Sequence, residues 1–256
     1  MHQASVGFHC PECVRSSGQR VYTARAIQAA SNPVVTTTLI ALNLVAYLYS
    51  TVAGGGTPLG EPSFSFQLDW ALIGEGATRV GLQVVPVGVA EGEWYRIVSG
   101  GFLHANLLHI AFNMFALWIL GRQVEPLIGR AAFAAVYFSS LLAGSLGVMI
   151  ADPGALTVGA SGAVFGLFGY ALILQWSRGI NPMDTGLGGI ILINLVFTFA
   201  VPGISIGGHL GGLVGGAIAG VLFDVLRPRA NAPVWVGTVL VAVFGVACAL
   251  ASVAVV

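Results

Sequence analysis

Charged residues are scarce in this sequence, and one charged residue type is missing altogether. Asp, Glu, Lys and Arg make up 8% of the 256 residues, and none of them is a lysine. A water-soluble domain carries about 25% charged residues, so this chain has too little polar surface to cover a globule. With 56% hydrophobic residues and no net charge, the sequence predicts a membrane protein and offers no basic surface for nucleic acid.

Cysteine is nearly absent as well. Cys10 and Cys13 precede the first apolar segment, and Cys248 lies in the last one. This arrangement gives no disulfide framework. The first 25 residues are polar and lack the apolar run of a cleavable signal peptide, so we expect none.

Long apolar stretches are what the sequence has in abundance. A helix crosses a hydrocarbon core of about 30 Å with roughly 20 residues. On that basis we predict seven spans: 34–53, 103–120, 131–150, 157–175, 186–201, 206–226 and 233–255. The expected fold class is an all-α polytopic membrane protein. The long connection 54–95 contains several aromatic residues, so we expect it to lie in the membrane interface.

Arginine placement predicts the orientation of these spans. If the N-terminus is cytoplasmic, Arg79 and Arg96 face the outer side and the other eight arginines face the cytoplasm. The opposite orientation would invert the positive-inside bias. We therefore expect a multi-pass protein of the cell membrane with a cytoplasmic N-terminus and its long loop on the outer side.

Polar side chains inside the predicted spans are costly, and four of them stand out. They are His109 and Asn113 in the second span, Ser161 in the fourth and His209 in the sixth. At 1.5 Å per residue, Ser161 and His209 would lie about 5–6 Å below the outer boundary and His109 about 9 Å below it. Taken singly, the serine could bond a backbone carbonyl and the histidines could join helices. Their matched depth favours a shared site.

Glycine spacing indicates which helices touch. Glycines recur every fourth residue in the sixth span, at Gly208, Gly212, Gly216 and Gly220, and Gly162 and Gly166 repeat that spacing in the fourth. Small residues at this spacing let helix backbones approach closely in lipid. We therefore expect these two spans to pack together, with Ser161 facing His209.

This set of residues suits acyl transfer. A serine hydroxyl becomes a nucleophile when a neighbouring base accepts its proton, and His209 is the base at matching depth. No acidic residue lies in the same layer, so we predict a Ser–His dyad, with Asp152 of an outer loop as the alternative orienting group. His109, Asn113 and the Ser161 N–H in the first turn of a helix could form an oxyanion hole.

These residues resemble the motifs of the rhomboid intramembrane proteases. Gly159 to Gly162 matches the family's GxSG, His109 to Asn113 its HxxxN, and His209 to Gly216 its HxxGxxxG. The resemblance implies Ser161 as nucleophile, His209 as base, and His109 with Asn113 as oxyanion hole, supported by Gly159, Gly162 and Gly212. It also implies no cofactor.

Other parts of the chain depart from the family's pattern. Phe165 stands where bacterial members often have Tyr, and it could stack on the imidazole without donating a hydrogen bond. Trp94-Tyr95-Arg96 is similar to the loop's WR motif with one residue inserted, which puts the role of Arg96 in question. Glu125 falls in a turn that resembles a structural feature of the family.

The resemblance also divides the chain. We expect a cytoplasmic tail over 1–33, a rhomboid protease core of six helices over 34–226 and a seventh transmembrane helix over 227–256. Such proteases cleave peptide bonds in or next to transmembrane helices, so the expected partners are single-pass or polytopic membrane proteins and the lipid bilayer. The sequence does not predict an oligomeric state.

The N-terminal segment carries half of a zinc-site pattern. Cys10 and Cys13 have CxxC spacing and resemble the end of a zinc-binding module that precedes some actinobacterial rhomboids. A structural zinc needs four ligands, so a tail without metal is the favoured interpretation and zinc binding the alternative. Two other functions remain alternatives for the whole chain. One is a relative without activity that binds membrane clients, and the other is a channel or transporter.

Overall fold

The computed structural model describes most of the chain in two compact units. The units are residues 1–32 and residues 33–256. Within them the described residues are 32–53, 57 and 59–256, together with the backbone of residues 2–3 and 8–9.

The first unit is described only through two short strands. These strands, β1 (His2–Gln3) and β2 (Phe8–His9), pair antiparallel. Cys10 and Cys13 lie outside the described residues, so the zinc alternative stays a prediction, as do the predicted domain limits.

Seven long helices of the second unit occupy the seven predicted apolar spans. They are α1 (Val34–Val52), α4 (Leu107–Ile128), α5 (Arg130–Ala151), α6 (Ser161–Ser177), α7 (Leu187–Ala200), α8 (Ile206–Gly220) and α10 (Val234–Val255). Two short helices, α2 (Phe64–Trp70) and α3 (Arg96–Ser99), lie in the long connection between α1 and α4. A π-helical stretch, Val221–Leu226, and the short α9 (Arg227–Arg229) extend α8. Five of the seven are long and apolar enough to cross a membrane, and α6 and α7 are shorter apolar helices. The prediction of an all-α polytopic membrane protein is confirmed.

Helix α6 is the centre of this bundle. Every residue from Gly162 to Ala171 is buried. Helices α4, α5 and α8 surround it. Because its surface meets protein rather than lipid, α6 does not need the full length of a bilayer-spanning helix.

Glycines bring the backbones of α6 and α8 into direct contact. A Cβ atom added at Gly212 would lie 2.0 Å from the Gly162 carbonyl oxygen, and one added at Gly216 would lie 1.8 Å from that of Gly166. Only glycine allows so close an approach. The predicted packing of the fourth and sixth spans is confirmed.

Helix α4 begins and ends later than predicted. The expected span was 103–120, whereas the helix covers Leu107–Ile128. Leu103 is apolar but extended, and Asn106 caps the helix by accepting a hydrogen bond from the His109 N–H. At the other end, Glu125 does not lie in a turn but within the helix.

From its position within α4, Glu125 caps the N-terminus of α1. Its buried carboxylate accepts the backbone N–H groups of Val35 and Thr36 at 2.9 and 2.8 Å, and the Thr36 hydroxyl at 2.7 Å. The N–H groups of a helix's first turn have no partner within the helix, so this carboxylate satisfies them. The structural role expected for Glu125 is therefore confirmed, in a helix rather than a turn.

The long loop between α1 and α4 is more ordered than expected. Besides α2 and α3 it contains a hairpin of β3 (Gly76–Val80) and β4 (Gln83–Val87), which the sequence analysis did not predict. An antiparallel bridge between Leu72 and Thr157 ties this loop to the segment before α6. The loop thereby helps to fix the position of the Ser161 segment.

Arg96 is buried within the loop between α1 and α4 and cross-links its backbone through hydrogen bonds. Its side chain is 2% exposed, and the guanidinium donates to the carbonyl oxygens of Leu68 and Ala71 at 2.7 and 2.9 Å. It also pairs with Glu93 at 2.7 Å. Despite the residue inserted in the motif, Arg96 has a structural role in this loop.

Candidate active site

Ser161 is the first residue of α6, at the end of a tightly held loop. The preceding Gly159 has a φ of +129°, a backbone conformation that glycine adopts and residues with a Cβ avoid. Its N–H donates to the Gly100 carbonyl oxygen at 2.9 Å. Ser161 therefore presents its hydroxyl beside the unpaired N–H groups of a helix N-terminus, where a partial positive charge favours anions.

His109 lies next to this loop. A Cβ atom added at Gly159 would be 2.8 Å from Cε1 and Nε2 of His109, and 3.5 Å from the Ser161 hydroxyl oxygen. His109 is the third residue of α4 rather than the sixth, because the helix begins later than predicted. All three site helices thus contribute residues from their first turns.

The protonation of His109 follows from one backbone hydrogen bond. The Ala105 N–H donates to Nδ1 of His109 at 3.3 Å. A ring nitrogen that accepts has no proton of its own, so the proton of the neutral ring lies on Nε2. That Nε2–H is the group next to Gly159 and Ser161.

Asn113 lies one turn further along α4. Its side-chain amide donates to the His109 carbonyl oxygen at 2.9 Å, and the second amide proton stays available because a primary amide has two. Asn113 is buried, with 7% of its surface exposed.

His209 is the fourth residue of α8 and is held on two sides. Its ring stacks on Phe165 with centroids 4.0 Å apart and an interplanar angle of 19°, as expected for this phenylalanine. Its Nδ1 lies 2.8 Å from the Thr198 hydroxyl on α7.

These side chains share one cavity of about 1460 Å³. Ser161, His209, His109, Asn113 and Phe165 all line it. Of the supporting residues predicted, Gly162 and Gly212 form the helix contact behind Ser161, and Arg96 lies in the loop. Among the described residues Ser161 has no side-chain hydrogen bond. Catalytic hydrogen bonds are often long before substrate binds.

Asp152 lines the same cavity but does not orient His209. In the described part of the chain, the only side-chain hydrogen bond of His209 is to Thr198. The alternative in which Asp152 acts as orienting group therefore finds no support. Sequence reasoning missed Thr198, since a threonine inside an apolar span gives no signal that separates it from other helix residues.

His104 is a second residue that the sequence analysis missed. Its ring packs edge-on against His109 with centroids 5.1 Å apart. It is 1% exposed, and neither ring nitrogen has a hydrogen-bond partner among the described residues. In the sequence, only its position five residues before His109 could have indicated that His104 lies near the site.

Comparison with known proteins identifies the family. The profile of the Rhomboid domain matches residues 91–224, just over half of the chain, and this stretch contains all the site residues described above. The chain belongs to the rhomboid family. Helices α1 and α10 lie outside the matched stretch.

Several rhomboid proteins resemble this chain over longer or shorter stretches. Rhomboid protease GluP of Bacillus subtilis is 32% identical over 191 residues, which are 73% of this chain and 34% of GluP. Rhomboid-like protease 1 of Toxoplasma gondii is 34% identical over 173 residues, or 64% of this chain and 58% of the relative. Rhomboid protease GlpG of Klebsiella pneumoniae is 35% identical over 112 residues, 42% of this chain and 38% of GlpG. The chain therefore spans less than two thirds of each of these rhomboid relatives.

Proposed function

We propose that this rhomboid protein is an intramembrane serine endopeptidase that works with a Ser161–His209 dyad. The observation that supports this most strongly is the meeting of three helix N-termini at one cavity, with a serine, two histidines and an asparagine facing it. Membrane-buried polar groups are rare and usually functional. The names of the relatives, all rhomboid proteases, support the same reaction class.

The chemistry follows serine-protease logic. Ser161 Oγ attacks the carbonyl carbon of the scissile bond while its proton passes to Nε2 of His209. The imidazolium then gives that proton to the leaving amine, so the C–N bond breaks and an acyl-enzyme remains. Water attacks the ester, with His209 again as base, and frees the carboxylic acid and Ser161.

The oxyanion that forms during each attack needs hydrogen-bond donors. Three donors are available at this site: the Nε2–H of His109, the free amide proton of Asn113 and the backbone N–H of Ser161. Preorganised donors of this kind are worth about 3–4 kcal/mol each in serine proteases. The N-terminus of α6 adds partial positive charge at the same place.

The cavity wall suggests the substrate class. Apolar side chains of two helices line it, Phe112, Phe115 and Ile119 from α4 and Ile190, Ile193 and Phe197 from α7. Such a wall suits an apolar peptide segment of a membrane protein. An intact helix hides its carbonyl groups, so we expect the cleaved segment to contain helix-weakening residues.

The arginine distribution supports an orientation for the reaction. With a cytoplasmic N-terminus, the first turns of α4, α6 and α8 face the outer side of the cell membrane. The catalytic water then comes from that side.

The direct test is cleavage in proteoliposomes. The substrate is a single transmembrane segment with small residues at the expected cleavage site and a glycine or proline beyond it. We expect the wild-type protein to cleave it and Ser161→Ala to leave it intact, with both proteins equally stable in thermal unfolding. Cleavage by Ser161→Ala at the wild-type rate would refute Ser161 as nucleophile. A stable wild type that binds the segment uncleaved would favour the client-binding alternative.

A further inference from the structure

One hydrogen bond joins the candidate base to a neighbouring helix. Thr198 Oγ1 on α7 lies 2.8 Å from Nδ1 of His209, and it also lies 2.8 Å from the carbonyl oxygen of Asn194. Thr198 is 2% exposed, so bulk water does not compete for either contact. The three groups form a short chain from the backbone of α7 to the imidazole.

The direction of the protons in this chain follows from the atoms involved. The Asn194 carbonyl oxygen can only accept, and a hydroxyl has a single proton to give. Thr198 therefore donates to Asn194 and accepts from His209. The Nδ1 of His209 carries the ring proton, and Nε2 of the neutral imidazole carries the lone pair.

We propose that Thr198 is a positioning residue that holds His209 in the tautomer able to take the Ser161 proton. The proposal rests on the protease function proposed above. When the Ser161 O–H bond breaks, its proton forms a new N–H bond at Nε2 and the ring becomes an imidazolium. The Nδ1–H stays bonded to Thr198 throughout, and the Nε2 proton then goes to the leaving amine.

Two contacts together restrain the imidazole. The Phe165 ring, 4.0 Å away, fixes the plane of His209, and the Thr198 hydroxyl fixes its rotation within that plane. No carboxylate among the described residues bonds His209, so the hydroxyl takes the place that an acid has in a catalytic triad. A neutral acceptor stabilises the imidazolium less than a carboxylate does, so we expect a smaller effect than the roughly 10⁴-fold loss known for triads.

Three substitutions separate positioning from packing. Thr198→Val keeps the shape of the side chain and removes the acceptor, whereas Thr198→Ser keeps the acceptor. Thr238→Val on α10 is the matched control, because Thr238 also donates to the carbonyl oxygen four residues back, at 3.1 Å, but has no hydrogen bond to a histidine in the described part of the chain.

We expect Thr198→Val to lower kcat by about ten- to a hundredfold, the range found when the hydrogen bond that orients a metal-binding histidine is lost. Its KM should stay within about twofold, because Thr198 does not bind substrate. Thr198→Ser should keep kcat within about threefold of wild type, and Thr238→Val should leave it unchanged. A Thr198→Val protein with wild-type kcat, or a Thr198→Ser protein as slow as the valine variant, would overturn the proposal.

A tautomer measurement on the wild type does not depend on how the variants fold. Nitrogen-15 NMR of histidine-labelled protein, with the His209 resonances assigned by comparison with His209→Ala, reports which ring nitrogen carries the proton. We expect Nδ1–H in the wild type and a mixture of tautomers in Thr198→Val. Protonation at Nε2 in the neutral wild-type ring would overturn the proposal. Failure of the protease function itself appears differently, as a wild type that neither cleaves nor reacts with a serine-directed probe.

Discussion

Helices α6 and α8 meet backbone to backbone, whereas α7 meets the bundle through few buried side chains. A Cβ at Gly212 would lie 2.0 Å from the Gly162 carbonyl oxygen, which leaves no room for adjustment. On α7 the buried residues are only Leu187, Gly188, Ile191 and Thr198. The proposed nucleophile, Ser161, and the proposed base, His209, thus lie on the two helices that share the rigid contact. Thr198 lies on the loosely packed α7, so a displacement of α7 would alter its hydrogen bond to His209 without disturbing the α6–α8 contact.

The largest effect is expected from filling the glycine contact. Gly212→Ala should lower the free energy of unfolding by about 3 kcal/mol, because its methyl group meets backbone that cannot move aside. The measurement is denaturant unfolding in micelles. The matched control is Gly189→Ala on α7, where an added Cβ meets nothing within 4 Å. That change should be neutral or add up to about 1 kcal/mol through helix propensity. Equal stability of Gly212→Ala and wild type would refute the rigid-contact account.

A second prediction concerns Phe165 of α6, whose ring stacks on His209. Phe165→Leu keeps an apolar side chain but removes the flat face, and a stacked ring pair is worth about 0.5–1.5 kcal/mol. We expect kcat to fall by about three- to tenfold in the cleavage assay, and the free energy of unfolding to fall by about 1 kcal/mol because Phe165 is buried. Phe165→Tyr retains the ring and should stay within about twofold of wild type. A tyrosine variant as slow as the leucine variant would show that stacking is not what matters.

A third, smaller effect should come from the exposed face of α7. Phe197 lines the cavity and is 57% exposed, next to the buried Thr198. Phe197→Ala should therefore leave the free energy of unfolding within about 0.5 kcal/mol of wild type. It should raise KM by about two- to fivefold by removing an apolar contact with the substrate segment. A change in kcat with unaltered KM would assign Phe197 to the base rather than to the substrate.

The smallest effect should come from pH, which acts on the long loop between α1 and α4 and not on the uncharged glycine contact. Burial works to raise the pKa of Glu93, but its hydrogen bonds to Arg96 and the Gly88 N–H outweigh burial and leave that pKa below the ordinary value. A carboxyl whose folded pKa is depressed stabilises the fold above its unfolded pKa, about 4.3, and loses that contribution as pH falls through the folded pKa.

Hydrogen exchange measures this local effect. Below about pH 4 the amides of residues 88–96 should lose protection relative to their intrinsic exchange rates at the same pH, while those of α6 and α8 keep their protection. Glu93→Gln should remove the pH dependence of the loop. Uniform loss of protection in loop and core would contradict the separation of the two regions.

The sequence predicted the parts of the fold that depend on local pattern. Long apolar runs located the seven helices, and the four-residue glycine spacing predicted the α6–α8 contact. Ser161, His109, Asn113 and His209 were expected to lie together, and all four line one cavity. Their catalytic roles stay predictions.

What the sequence did not predict depends on contacts between distant residues. Hydropathy included Leu103 in a span, but the cap at Asn106 starts the helix later and moves His109 to its first turn. Glu125 was expected in a turn because the predicted span ended at 120 and the family resemblance suggested a turn after it. Its actual role could not be read from the local sequence, since its partners, Val35 and Thr36, lie about ninety positions away. Thr198 became identifiable only when α7 was seen to place it against His209.

Labelling with a serine-directed probe tests whether His209 activates Ser161. Purified wild type, Ser161→Ala and His209→Ala are each treated with a fluorophosphonate in detergent, and the modified residue is located by peptide mass spectrometry. If His209 activates Ser161, wild type is labelled at Ser161 and neither variant is labelled. A wild type that does not label, or a His209→Ala protein that labels at the wild-type rate, would contradict activation of Ser161 by His209.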